Sequence, residues 1–405
     1  MEIRFPFFLD GATGTELQKR GYQGDVSAEQ WVLEHPEAIL EIQRAYVAAG
    51  SQVVYAPTFG ANRQKLEEHG IFNRVEEYNT GLVALSKQAA DGRAWVAGDI
   101  SPTGRFLAPL GDASFEELVD IYTEQAAALE KAGVDLFAVE TMMTLSDARA
   151  AVLAIRSVSE KPIFVTFTCD ESGRTLSGTD VTAALVVLQG MGISAFGLNC
   201  STGPDKMLVQ LRRLRDYARV PLIAKPNAGM PAVVNGTTVY DCTPEEFVAY
   251  ADGMVQAGVG IFGGCCGTTD EYIAALVRTL KDKSFVPPAP KNADMLPAST
   301  EKIPVLLPVD APHGAVLQAK SDMEDALAEA MEEQEPVAAI KIGSWEDVDA
   351  LADWQYAISK PLCLVCDEAE LLEAALRVYQ GRALYEGGLS EEALLPLCDR
   401  YGLLI

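Results

Sequence analysis

Histidine and basic side chains are scarce in this chain. Only 3 of its 405 residues are histidine, and none of the three has metal-ligand spacing, so a histidine-rich metal centre is excluded. Lysine and arginine total 32 against 58 aspartates and glutamates, which gives a net charge of −26. This negative charge argues against nucleic acid and anionic membranes as partners, because phosphate groups would be repelled.

Long apolar runs and a secretory leader pattern are also missing. No apolar stretch reaches the roughly 18 residues of a membrane span, so no membrane partner is expected. Residues 1–10 run into a strand pattern without a basic start or a small-residue cleavage site, which predicts a cytoplasmic protein. The 8 cysteines lack the regular spacing of a disulfide scaffold and are expected to be reduced thiols.

The chain has eight short apolar runs that alternate with helical patterns over about the first 280 residues. Pro36, Ser114 to Glu117 and Thr243 to Glu246 are typical helix starts. The eight runs are Phe5 to Asp10, Gln52 to Phe59, Ala94 to Ile100, Leu136 to Met142, Pro162 to Cys169, Ala195 to Cys200, Pro221 to Asn227 and Val259 to Gly264. Runs this apolar favour parallel strands covered by helices, and the predicted fold is an α/β (β/α)8 TIM barrel. A doubly wound open sheet is the alternative, but no GxGxxG turn follows the first run.

The last third of the chain predicts a second domain. Residues 286–302 are rich in proline and predict an extended linker between a barrel at 1–285 and an acidic α/β domain at 303–405. Four further strand and helix pairs are predicted in that domain, with strands at Ile303 to Val309, Val337 to Ile342, Pro361 to Cys366 and Arg382 to Tyr385. The acidic surface could steer a basic partner or could serve solubility alone. The pair Cys363 and Cys366 has redox spacing but is interpreted as core packing.

Three cysteines at the ends of predicted strands are the main chemical signal. Cys265 and Cys266 are adjacent, lie between glycines and follow the eighth apolar run, while Cys200 ends the sixth. Neighbouring cysteines rarely reach disulfide geometry, but they can bind one metal ion. Because barrel strands end at one face, the three thiols are expected to converge there. The alternative is that they are small buried apolar side chains.

Three thiolates without a fourth protein ligand are typical of a zinc site with an open position. Such a site carries a net charge near −1 and is too electron-rich to activate water well. It suits a thiol substrate, which the metal deprotonates and leaves nucleophilic. The expected chemistry is alkyl transfer to sulfur.

Several motifs in order resemble one known family. They are Asp10 to Thr15, Gly98 to Gly104, Val139 to Met142, Gly197 to Ser201, Lys225 to Gly229 and Gly263 to Thr268. Together they resemble the zinc-dependent homocysteine S-methyltransferase family, and in particular the homocysteine-binding domain of cobalamin-dependent methionine synthases. The resemblance covers residues 5–285 and implies that Cys200, Cys265 and Cys266 bind Zn²⁺ and are the catalytic centre.

The same resemblance implies where homocysteine binds. The loop Gly11 to Thr15 and Glu140 would hold its carboxylate and amino groups, and Asn227 would occupy the metal when substrate is absent. The candidate substrate-binding residues are Asp10, Gly11, Ala12, Thr13, Gly14, Thr15, Thr58, Phe59, Asp99, Glu140, Asn199 and Asn227. Alternatives are a plain tight turn for the first loop, a structural ion pair for Glu140 and a hydrogen-bond acceptor between loops for Asp99.

The resemblance does not determine the methyl donor. We expect methionine synthesis from homocysteine with methylcobalamin supplied by a separate corrinoid protein, because His313 does not fit the corrinoid-binding pattern and this chain shows no other corrinoid motif. A donor such as S-methylmethionine or betaine is the first alternative. A thiol-binding subunit of a corrinoid methyltransferase complex is the second. Residues 303–405 partly resemble a pterin-binding domain.

Overall fold

A computed structural model describes residues 3–108, 110–234, 237–288, 291–292 and 294–405. The chain divides into two compact units. Unit 1 consists of Met1–Gly173, Ser194–Asp216 and Val220–Pro288, and unit 2 of Arg174–Ile193, Tyr217–Arg219 and Ala289–Ile405. No helix in the described residues is long and apolar enough to cross a membrane.

Eight parallel strands of unit 1 form one sheet, in the order β1-β10-β7-β6-β5-β4-β3-β2. Its strands, together with a two-stranded hairpin β8–β9, are β1 (Phe7–Phe8), β2 (Val53–Tyr55), β3 (Trp95–Ile100), β4 (Leu136–Met142), β5 (Ile163–Phe167), β6 (Ala195–Asn199), β7 (Leu222–Lys225), β8 (Ala232–Val234), β9 (Thr237–Val239) and β10 (Val259–Phe262). The (β/α)8 barrel prediction is confirmed, with all eight strands inside their predicted ranges.

The helices up to Leu280 alternate with these strands. They are α1 (Gly14–Lys19), α2 (Ala28–Glu34), α3 (Pro36–Ala49), α4 (Arg63–Glu68), α5 (Val75–Ala90), α6 (Phe115–Ala132), α7 (Leu145–Val158), α8 (Val181–Gly190), α9 (Pro204–Arg215), α10 (Pro244–Val248), α11 (Ala251–Gln256) and α12 (Asp270–Leu280). The predicted capping boxes of α6 and α10 are both present, and Pro36 begins α3.

The barrel closes between β1 and β2 through a short set of hydrogen bonds. The Gln52 N–H donates to the Phe8 carbonyl over 2.7 Å, and the Phe8 N–H donates to Gln52 Oε1 over 3.0 Å. At the carboxyl end of β2, the Tyr55 N–H donates to Asp10 Oδ2 over 2.7 Å. A carboxylate therefore takes the place of a strand carbonyl where β1 has ended.

Inside the barrel an apolar layer lies below a polar one. The apolar core includes Val53, Ala97, Ala138, Phe164 and Ile223. Because side chains two residues apart share a face of a strand, the next inward positions carry polar groups. These positions are Tyr55, Asp99, Glu140, Thr166, Asn199 and Lys225. The carboxyl ends of the strands thus surround a layer of polar side chains.

Unit 2 is built around a four-stranded parallel sheet in the order β13-β14-β15-β16 and a hairpin β11–β12. Its strands are β11 (Leu296–Ser299), β12 (Pro304–Leu307), β13 (His313–Gln318), β14 (Val337–Lys341), β15 (Leu362–Val365) and β16 (Leu384–Glu386). Its helices, besides α8, are α13 (Glu324–Glu332), α14 (Trp345–Trp354), α15 (Ala369–Val378) and α16 (Glu391–Tyr401). Cys363 and Cys366 are 4% and 2% exposed, as core packing predicts.

The structure corrects two expectations about this region and adds one strand. Leu296–Ser299, inside the predicted linker, forms β11. The run Ile303 to Val309 does not begin a β/α unit, since β12 pairs antiparallel with β11. The first parallel strand is β13 instead, which the sequence analysis missed because its glycine and its exposed side chains hide the apolar pattern.

The predicted bounds 1–285 and 303–405 also differ from the bounds of the two units. Unit 2 includes α8, whose residues Val181 to Leu188 are all buried. This helix packs against β11 and α16, and Asp180 at its start donates from its N–H to the Lys302 carbonyl over 3.0 Å. Long-range packing of this kind leaves no signal in the local sequence.

Candidate metal and thiol-binding site

Cys200, Cys265 and Cys266 meet at the carboxyl ends of β6 and β10. Their sulfur atoms all lie within 4.8 Å of one another, and the Sγ atoms of Cys200 and Cys266 are 3.9 Å apart. With Zn–S bonds of about 2.3 Å, two sulfurs on one tetrahedral zinc ion lie roughly 3.8 Å apart. The three thiols therefore fit a single zinc ion.

The loop that carries the two adjacent cysteines is tied to the neighbouring strand ends. The Cys265 N–H donates to the Pro226 carbonyl over 2.9 Å, and the Ala228 N–H donates to the Cys266 carbonyl over 3.0 Å. A Cβ atom at Gly264 would lie 2.2 Å from Thr268 Oγ1, so only glycine fits this turn. The sequence pattern of glycines around the thiols thus has a steric cause.

Cys200 has a left-handed backbone conformation, with φ of 61°, and Ser201 follows with φ of 57°. Such angles are unfavourable for residues other than glycine and cluster at functional sites. The Cys200 N–H donates to the Lys225 carbonyl over 3.2 Å, which holds this turn against β7. The unusual turn aims the Cys200 sulfur at the other two.

The three thiols affect one another's ionisation. Hydrogen bonds from Cys265 and Cys266 lower the pKa of Cys200, while the same contacts raise the pKa values of Cys265 and Cys266. The cause is that a first thiolate is stabilised by two neutral thiols, but further thiolates so close to it would repel. A dication bound among the sulfurs would remove that repulsion and bring all three to the thiolate form.

Asn199 and Asn227 flank the sulfur cluster. Asn199 Nδ2 lies 3.8 Å from Cys265 Sγ and also donates to Thr141 Oγ1 over 2.7 Å. Asn227 is 2% exposed, and its Oδ1 has no hydrogen-bond partner among the described residues. An unpaired buried oxygen next to the thiols is compatible with the predicted contact to a metal, which stays a prediction.

The loop after β1 lies against the cysteine loop. The Ala12 N–H donates to the Thr268 carbonyl over 3.3 Å, and the Gly267 N–H donates to Thr15 Oγ1 over 3.2 Å. A Cβ atom at Gly11 would lie 2.8 Å from the Tyr46 ring. Thr13 and Gly14 mark the start of α1. The predicted carboxylate-binding loop and the predicted metal loop are therefore joined.

Asp10, Asp99 and Glu140 lie in the polar layer of the barrel. Burial raises the pKa of Asp10 to about 6, although Lys225 opposes this. Burial, and then the charge of Glu140, raises the pKa of Asp99 well above its usual range. Asp99 Oδ1 has no hydrogen-bond partner within the described part of the chain. The polar layer therefore holds an acidic group with unsatisfied bonding capacity.

Thr58 and Phe59, after β2, differ in their exposure to solvent. Thr58 is fully buried, and its hydroxyl donates to the Asp99 carbonyl over 2.8 Å and accepts from the Asp99 N–H over 3.0 Å. This side chain joins β2 to β3. Phe59 is 42% exposed, and its carbonyl accepts from Ser101 Oγ. Their predicted contacts with substrate stay predictions.

The sequence analysis missed two residues of this site. Lys225 is 3% exposed, and its Nζ lies 3.2 Å from Glu140 Oε2. A lysine at an inward position of an apolar strand was the available signal. The second is Tyr240, which follows β9 and has its ring against Gly267. Burial raises the pKa of Tyr240, and so does the charge of Cys266.

Comparisons with known proteins agree with this arrangement. A family model described as homocysteine S-methyltransferase matches residues 7–280. Methionine synthase of Mycobacterium tuberculosis is 33% identical over 297 residues, which cover 67% of this chain and 24% of that protein. Methionine synthase of Mycobacterium leprae is 33% identical over 298 residues, with the same coverage. The chain thus spans about a quarter of the length of these curated relatives.

Solved structures are also similar. The metallated form of the homocysteine methyltransferase MmuM from Escherichia coli has a TM-score of 0.59 and 27% identity, covering 67% of this chain and 96% of that one. The oxidised form of the same protein has a TM-score of 0.58 and 25% identity, covering 67% of this chain and 95% of that one. With its barrel, its sulfur triad and a family match that spans most of the barrel, this chain belongs to the homocysteine S-methyltransferase family of methyltransferases.

Proposed function

We propose that this chain transfers a methyl group to the sulfur of homocysteine and so makes methionine. The observation that carries the proposal is the triad of sulfurs within 4.8 Å of one another at the carboxyl ends of β6 and β10. Cys200, Cys265 and Cys266 would hold Zn²⁺, which when bound lowers the pKa of a coordinated thiol and leaves it nucleophilic.

The residues of the chain supply position and charge for the reaction. The negative charge of Asp10 and Glu140 and the unpaired oxygen of Asp99 would favour the substrate ammonium, and the loop Gly11–Thr15 would bind the substrate carboxylate through backbone N–H groups. The substrate thiol loses its proton to solvent. Its sulfur then forms the new bond to the methyl carbon, while the bond from methyl to donor breaks and leaves its electron pair on the donor.

We propose a methyl-corrinoid on a separate protein as the donor. The support is the similarity to methionine synthases, of which this chain matches about a quarter. A small donor such as S-methylmethionine or betaine is the second candidate. The third candidate is a thiol-binding subunit of a corrinoid methyltransferase complex.

The sheet order of unit 2, β13-β14-β15-β16, is that of half a barrel, in line with the partial resemblance to a pterin-binding domain. A cytoplasmic location remains a prediction.

Donor assays test the proposal. Zinc-loaded protein and homocysteine are incubated with methylcobalamin, S-methylmethionine and betaine in turn, and methionine is measured by mass spectrometry. Methionine from methylcobalamin alone supports a methyl-corrinoid donor, and methionine from S-methylmethionine or betaine supports a small donor. Methionine from none of the three, with homocysteine still bound, supports the subunit. If the purified protein holds no zinc and Cys200→Ala leaves metal content and homocysteine binding unchanged, the zinc-based function is wrong.

A further inference from the structure

Lys225 is a lysine enclosed by the barrel, and its ammonium group contacts three side chains. Its Nζ lies 3.2 Å from Glu140 Oε2, 3.5 Å from Asp10 Oδ1 and 3.7 Å from the centre of the Tyr55 ring. The side chain of Lys225 is 4% exposed, and those of Asp10 and Glu140 are 2% and 14% exposed. The ammonium thus joins residues that come from the ends of β1, β4 and β2.

These contacts surround the ammonium. A lysine offers three N–H donors, and here one is hydrogen-bonded to Glu140, while Asp10 lies at ion-pair distance and the Tyr55 ring faces the charge. The charge of Lys225 is thus directed at groups of the protein. Any effect of Lys225 on a ligand is expected to pass through Glu140 and Asp10.

One acidic oxygen beside this ion cluster is left without a hydrogen-bond donor. Asp10 and Glu140 contact the ammonium, and Asp99 Oδ1 lacks a hydrogen-bond partner among the residues that the structure describes. Burial, and then the charge of Glu140, raises the pKa of Asp99, so this group is favoured in its neutral form. Its unpaired oxygen can accept a hydrogen bond from the ammonium of an amino-acid ligand.

We propose that Lys225 is a positioning residue that, together with Asp10, holds Glu140 so that the Glu140 oxygen not bonded to Lys225 and the unpaired oxygen of Asp99 select thiols that carry a cationic amino group. This inference rests on the proposed function, and it names the residue behind the choice of substrate class. Lys225 itself does not touch the ligand.

The test compares two thiols that differ in one group. Homocysteine and 4-mercaptobutanoate share the thiol, the chain length and the carboxylate, but only homocysteine has the amino group. Their dissociation constants for the zinc-loaded full chain are measured by isothermal titration calorimetry. The wild-type protein is expected to prefer homocysteine by about tenfold or more, since a hydrogen bond to a buried charge contributes that much.

The variant Lys225→Met removes the ammonium and keeps a side chain of similar length. Its preference for homocysteine is expected to fall to about threefold or less, while zinc content and the affinity for 4-mercaptobutanoate stay as in the wild type. The matched control is Lys131→Met, because Lys131 forms an exposed ion pair with Glu76 at 2.5 Å. The control is expected to keep the full preference.

The outcomes separate the two claims. If both thiols bind the wild type and Lys225→Met keeps the wild-type preference, the inference about Lys225 is overturned and the proposed function stands. If neither thiol binds the zinc-loaded wild type, both are overturned. If Lys225→Met does not fold, Glu140→Gln decides, because it keeps the shape of the side chain. A full preference for homocysteine in Glu140→Gln would overturn the inference, and its loss would support it.

Discussion

Asn199 on β6 bonds to Thr141 on β4 twice. The Asn199 Oδ1 accepts from the Thr141 N–H over 3.0 Å, and the Asn199 Nδ2 donates to Thr141 Oγ1 over 2.7 Å. Thr141 has a left-handed backbone with φ of 59°, which is rare for a β-branched residue. The same Nδ2 lies 3.8 Å from Cys265 Sγ. One amide thus links a strained strand end to a candidate metal ligand.

Replacing Asn199 by alanine is expected to weaken zinc binding. The change removes the amide that orients Cys265 and releases the strained turn at Thr141. Loss of a side chain that contacts and orients a metal ligand typically lowers metal affinity by about 10- to 100-fold. Competition with a chromophoric chelator measures the change.

The control for that change is Asn79→Ala. Asn79 is also buried, and it donates to the Ala61 and Val75 carbonyls, both over 2.8 Å. This variant is expected to lose stability but to keep its zinc affinity. Equal zinc affinity in wild type and Asn199→Ala would show that the amide has no part in the metal site.

Replacing Cys266 by alanine should leave too few sulfurs for tight zinc binding. Zinc retained after dialysis against a chelator is expected to fall well below one ion per chain, and the thiolate-to-cobalt absorption of the cobalt-loaded protein should weaken. Cys366→Ala is the control, because Cys366 is a buried core thiol of unit 2. Full zinc retention in Cys266→Ala would exclude Cys266 as a ligand.

The barrel and the sulfur triad were predictable because both leave periodic or local signals. The eight apolar runs have strand length, and Cys200, Cys265 and Cys266 stand where runs end, so the rule that barrel strands end at one face brings them together. The order of the strands along the chain was sufficient to predict that the three thiols lie together.

The environment of Glu140 could not be predicted in the same way. Its partner Lys225 is 85 residues away in the chain, and their contact depends on the register of strands that lie far apart in sequence. The membership of α8 in unit 2 has the same origin, since its apolar surface packs on β11, which lay inside the predicted linker. Such contacts follow from tertiary packing and not from local pattern.

Replacing Gly11 by alanine is expected to disturb the loop after β1. The new Cβ atom would lie 2.8 Å from the Tyr46 ring, whose hydroxyl donates to the Ala12 carbonyl over 2.7 Å and to the Thr268 carbonyl over 3.2 Å. Overpacking of this kind costs about 1 to 3 kcal/mol. Urea unfolding measures the loss, and the dissociation constant for homocysteine is expected to rise.

Gly14→Ala provides the matched comparison of stability. No atom lies within 4 Å of a Cβ atom built at Gly14, which begins α1. Its free energy of unfolding is expected to stay within about 0.5 kcal/mol of the wild type. Equal free energies of unfolding for the Gly11 and Gly14 variants would show that the Tyr46 ring can move aside without loss of stability.

Asp10 is expected to make stability depend on pH. Its pKa is raised from 3.8 to about 6, first by burial, so the folded state binds a proton that the unfolded state has already lost. Stability from this group is therefore highest at low pH and falls as pH rises through about 6. Between pH 5.0 and 7.5 the decrease is about 1 kcal/mol. Urea unfolding of the wild type and of Asp10→Asn, compared at the two pH values, isolates this decrease. An identical pH dependence in both proteins would exclude Asp10 as its source.

Ending the chain at Pro288 is expected to give an unstable protein, although it keeps all eight barrel strands. The truncation removes β11 and α16, against which α8 packs. All residues from Val181 to Leu188 are buried, so the truncation would expose an apolar helix surface to water. Soluble yield and the far-ultraviolet circular dichroism of the truncated chain measure the effect. A second truncated chain with Val181, Leu185 and Leu188 changed to glutamine is expected to regain solubility, since these changes make that helix polar. A soluble, cooperatively unfolding chain of residues 1–288 without these changes would show that α8 does not depend on β11 and α16 for its stability.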